Sequence, residues 1–153
     1  MIRYVLVVLV TLAVLGVGAV AVDHATVVRG EQEAQSAVAA IDEAAVDLYE
    51  SESLALAGDP PPQRVLDVRL PGAGYTSAAP DHLTFERAPG QNLTVVTYRF
   101  PSRATRSHVI EAPLVRAGER AFALDGHTGT VTLFLRLVAG DNGAPVVTLA
   151  VNP

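Results

Sequence analysis

The sequence predicts an α+β chain in which one long N-terminal helix packs on a small antiparallel β-sheet domain. Three observations carry that prediction. Tyr4 to Val22 is an unbroken uncharged run, Ala34 to Leu48 repeats apolar residues in steps of four and three, and the pattern turns to period two after Pro60, Pro61 and Pro62. The corresponding segments are 1–22, a transmembrane segment; 23–57, an amphipathic stalk helix; and 58–153, an antiparallel β domain.

The first run, YVLVVLVTLAVLGVGAVAV, covers 19 residues. At about 1.5 Å of rise per residue it is long enough for a hydrocarbon core of roughly 30 Å. Arg3 ahead of it and Asp23 behind it orient a single span with the N-terminus cytoplasmic and the remainder extracytoplasmic. A secretory leader is the other reading, because Ala19 and Ala21 form a small-residue site ahead of Val22. A helix buried in its own globule needs more cover than the remaining strand-rich chain supplies.

Beyond the span, Ala34, Val38, Ile41, Ala45 and Leu48 lay one apolar seam along a helix, with Glu33, Gln35, Asp42, Glu43, Asp47 and Glu50 on the wet side. This seam is the predicted helix-assembly face, and it also suits packing on a sheet. Gly58 and the three prolines end the helix. Strands then follow by alternation: Arg64–Leu70, Leu93–Phe100, Val131–Leu137 and Val147–Val151, with shorter ones at Leu83–Arg87, Ser107–Glu111 and Arg120–Leu124. The last two long strands form a hairpin across Asp141-Asn142-Gly143. A two-sheet sandwich is the alternative to one helix-covered sheet.

An apolar N-terminus that continues into an amphipathic helix and then a small sheet domain resembles the type IV pilins, including minor pilins and pseudopilins. The resemblance rests on Tyr4 to Leu56 and the strand-rich tail. It departs from the family in having only Met1-Ile2-Arg3 as a leader and no acidic residue early in the apolar run. The resemblance implies a structural or accessory subunit of a surface appendage or secretion system, of haloarchaeal type, that assembles through its apolar helix. Its partners would be the lipid bilayer and other helix-anchored subunits, and its location the cell membrane. A membrane-tethered or secreted ligand-binding domain, reading its ligand through loops 72–82 and 125–129, is the alternative.

Composition narrows the chemistry. The 153 residues hold 11 basic and 16 acidic side chains, for a net charge of -5, and every basic one is arginine. An acidic chain without a basic patch is a poor partner for nucleic acid. With no cysteine, disulfides and thiolate metal sites are excluded. His24, His82, His108 and His127 show no metal-ligand spacing, Asp125-Gly126-His127 reads as a polar turn, and no nucleophile elbow or phosphate loop is present. The sequence thus offers no catalytic residue, cofactor, metal site or evident small-molecule substrate, and no enzyme is expected. Asn92-Leu93-Thr94 is an N-x-T sequon, which makes Asn92 a candidate glycosylation site. Arg99, Arg103 and Arg106 gather around Pro101 as a small basic spot suited to the acidic helix of a neighbour.

Overall fold

Alanine, glutamate and glutamine dominate the stretch after Val28, and such residues lose little on entering a helix. In the computed structural model they belong to α1, a single helix of 50 residues from Ile2 to Ser51. The structure describes residues 2–74, 77–116 and 119–151; between 2 and 23 it describes side chains only at Val7, Leu9, Val10, Thr11 and Ala13. The helix is about 75 Å long at its standard rise. It runs unbroken through Gly30, where glycine serves packing rather than a break. A Cβ at that position would fall on the Ala78 carbonyl oxygen and lie 2.8 Å from Cε1 of Phe100. The same crossing is tied by the Ala78 amide, which donates to the Thr26 carbonyl at 3.1 Å.

Eight strands follow among the described residues: β1 (Gln63–Leu70), β2 (His82–Arg87), β3 (Thr94–Arg99), β4 (Arg106–Ile110), β5 (Leu114–Val115), β6 (Ala121–Ala123), β7 (Gly129–Ala139) and β8 (Pro145–Val151). They divide into two four-stranded sheets, ordered β1-β7-β8-β5 and β4-β3-β2-β6. The predicted single antiparallel sheet is therefore corrected to two, and β5 pairs with β8 in parallel. The physical reason is that the apolar faces are too many for one helix to cover. Leu133, Leu135, Leu137, Val147 and Leu149 make one inner face, and Leu83, Phe85, Val96, Tyr98 and Phe122 make the other. Stacking of Phe85 on Phe122, with centroids 5.0 Å apart, fills the second face.

The two sheets approach each other on the β2 and β5 side, and α1 packs on β1, β7, β8 and β4, closing the open side. Its seam is consumed there: Ala34, Ile41, Ala45 and Leu48 are 0% exposed and Val38 2%. The acidic flank stays exposed as expected at Gln35, Glu43 and Glu50, while Glu33, Asp42 and Asp47 are clamped to the two sheets. Arg64 of β1 meets Asp47 at 3.1 Å and Glu52 at 3.3 Å, and Arg69 meets Glu33 at 3.7 Å. From β4, Arg106 meets Glu31 at 3.5 Å and His108 Nε2 lies 2.7 Å from Asp42.

These contacts correct the pilin-like reading. Most of the Tyr4–Val22 run lies outside the described side chains, and among the described residues no helix is long and apolar enough to cross a membrane. The single-pass topology, the bilayer as partner and the cell-membrane location are withdrawn on that finding, with the tethered alternative. Assembly with other helix-anchored subunits is withdrawn as well, because the seam Ala34–Leu48 is buried under the chain's own sheets. What remains, among the described residues, is an α+β domain with two packed sheets and one helix.

Candidate functional site

The predicted candidates are placed as follows. Asn92 is exposed in the β2–β3 turn. The Thr94 hydroxyl of the same sequon is buried and committed to the fold, donating to the Ala112 carbonyl and accepting from the Leu114 amide, both at 2.8 Å. The basic spot disperses: Arg99 pairs with Asp81 at 3.2 Å, and Arg106 of β4 turns to Glu31 of α1 rather than to a neighbour's helix. Asp125 accepts the Leu83 amide at 2.8 Å, and Gly126 holds a positive φ of 81°, so that stretch is a turn. Among the described residues no three His, Asp or Glu side chains are placed to hold a metal ion.

Parts of the expected loops 72–82 and 125–129 do meet, at Ala73, Ala79 and Pro80 on one side and Asp125, Gly126, His127 and Thr128 on the other, around a cavity of about 150 Å³ also walled by Leu70, Pro71 and Leu124. Among the described residues, the buried Nδ1 of His127 has no hydrogen-bond partner. That volume is below the roughly 300 to 1,000 Å³ usual for a small-molecule site. A groove of about 460 Å³ elsewhere falls within it.

This groove is built from two turns distant in sequence. On one side β2 ends at Arg87 and the chain turns through Ala88-Pro89-Gly90, with the Ala88 amide bonded to the Leu93 carbonyl at 3.0 Å. On the other side is the expected β7–β8 hairpin, closed by Gly140 and Ala144 at 2.8 Å and helped by Asn142, whose Oδ1 accepts the Ala144 amide at 3.2 Å. Gly143 takes the positive φ of 75° that this turn demands. The floor is apolar, formed by Val115 of β5, Val138 of β7 and Val146 of β8.

Two guanidiniums line the same groove. Strand β2 pairs with β6 in a register that sets Glu86 opposite Ala121, and one step further Arg87 faces Arg120. The Arg87 amide donates to the Arg120 carbonyl at 2.8 Å, which fixes the two backbones side by side. Like charges in facing positions are unfavourable. Arg64, Arg69, Arg99 and Arg106 each have a carboxylate within 4.0 Å; among the described residues, neither Arg87 nor Arg120 has one. The third charge of the groove is Asp141, exposed on the hairpin rim and likewise without an ion pair among the described residues. An apolar floor flanked by two open guanidiniums can hold an anionic group and an aliphatic body together.

Sequence reasoning missed this site because its signal is not local. Arg87 ends β2 and Arg120 immediately precedes β6, and only the pairing of those two strands brings them together. A family model described as a domain of unknown function (DUF7311) matches residues 1–152. Comparisons with curated proteins and with solved structures gave no match for the chain.

Proposed function

The chain belongs to the DUF7311 family, and from that premise we propose that it is a binding domain, without catalysis, whose groove between the 88–90 and 140–142 turns seats a small molecule carrying an anionic group. The observation that carries this reading is the facing pair Arg87 and Arg120 over Val115, Val138 and Val146. Facing guanidiniums repel, and a bound carboxylate turns that repulsion into two charge-assisted hydrogen bonds. The absence of catalysis is part of the proposal: the groove lining contains neither histidine nor serine, and the Thr148 hydroxyl at its floor donates to the Arg136 carbonyl at 3.3 Å.

Thermal denaturation of the full chain with a panel of small aliphatic carboxylates tests the reading. A ligand at about a hundred times its Kd adds about 2.7 kcal/mol to stability, and at least one member is expected to raise Tm. Arg87→Ala and Arg120→Ala should each remove that rise. A panel that leaves Tm unmoved, or a rise that survives both substitutions, refutes it.

A further inference from the structure

We infer that the occupant of the groove is a zwitterion, an α-amino acid with an aliphatic side chain; the inference rests on the binding role just proposed. The groove carries both signs of charge on separate elements. Arg87 and Arg120 belong to the β2 and β6 side, and Asp141 to the opposite β7–β8 turn. Between them lie Val115, Val138 and Val146. A simple carboxylate answers only the arginines and leaves Asp141 facing an anion. A phosphate or dicarboxylate meets stronger repulsion from the same residue. An amine alone answers Asp141 and leaves the facing guanidiniums uncompensated. A molecule with a carboxylate, an ammonium and a branched aliphatic body satisfies the arginines, Asp141 and the valine floor together. No bond is made or broken in this proposal.

Calorimetric titration of the full chain with three probes decides it: leucine, its des-amino analogue isocaproate, and its decarboxylated analogue isoamylamine. Leucine is expected to bind about tenfold or more tightly than either analogue, the weight of one charge-assisted hydrogen bond. Asp141→Asn should bring leucine down to the affinity of isocaproate while leaving isocaproate unweakened. Isocaproate binding as tightly as leucine to the unaltered chain overturns the zwitterion and leaves the anion-binding groove standing. If none of the three binds while another carboxylate of the panel raises Tm, the inference alone fails. If the whole panel is also silent, the binding role fails with it.

Discussion

Thr94 is the residue whose role is clearest. Its hydroxyl satisfies a buried carbonyl at Ala112 and a buried amide at Leu114, joining the start of β3 to β5, whose Val115 is part of the groove floor. Each buried polar group left without a partner costs about 1–3 kcal/mol. Thr94→Val should therefore lower stability by about 2–4 kcal/mol in chemical denaturation, whereas Thr94→Ser, which keeps the oxygen, should lose less than half of that. A Val variant as stable as the parent would show that water satisfies both groups. Gly30 has the opposite need, for space. An added methyl meets the Ala78 carbonyl and the Phe100 ring, and overpacking of about 1–3 kcal/mol outweighs a helix-propensity gain of up to about 1 kcal/mol. Gly30→Ala is expected to be destabilising although alanine is the better helix former, and a stabilised variant would contradict the crossing. In the sequence Gly30 reads only as a weak point in a helix, because the loop that crosses it arrives from nearly fifty residues downstream.

For the elements, the question is what holds α1 to the sheets. The charged contacts are numerous but mostly half-exposed, and such pairs contribute about 0.2–1 kcal/mol each. The seam is fully buried, and truncating a buried Ile or Leu costs about 2–5 kcal/mol. Packing therefore dominates. Ile41→Ala or Leu48→Ala should cost several times more than Arg64→Ala, and only the Arg64 effect should shrink with added salt. Equal costs, measured by denaturation at low and high salt, would contradict that ranking. Hydrogen bonds to Asp47 first, and then to Glu52, push the Arg64 pKa above its ordinary value. A raised value leaves its contribution fully present below the unfolded pKa, so this contact does not change across neutral pH through Arg64's own titration. The seam and the long strands β1, β7 and β8 were legible because period four-three and period two are local signals. The two-residue strand β5 was not, since Leu114 and Val115 are too few to show a period and their partner is β8, which pairs with them in parallel. The clamping of the acidic flank was illegible for a related reason: Glu31, Glu33 and Asp42 find partners on β1 and β4, elements whose position depends on the whole fold.

Across the molecule, the two sheets close on one side and are wedged by the helix on the other, and the groove lies on the face of the first sheet turned away from the helix. The floor residues Val138 and Val146 face one another across the β7–β8 ladder, on the side opposite Leu137 and Val147. Such a site is assembled only when both sheets have formed, which is why no motif announced it. Unlike Arg64, Arg69, Arg99 and Arg106, its arginines have no carboxylate within 4.0 Å among the described residues, so they should add nothing to the stability of the empty fold. Chemical denaturation of the ligand-free Arg87→Ala/Arg120→Ala double variant tests this claim most directly. Removing two facing like charges should leave the midpoint unchanged or raise it, while ligand binding is lost. A loss of more than about 1 kcal/mol would identify the pair as structural, beyond the small change expected of a surface site, and would contradict the account of the groove as a binding site.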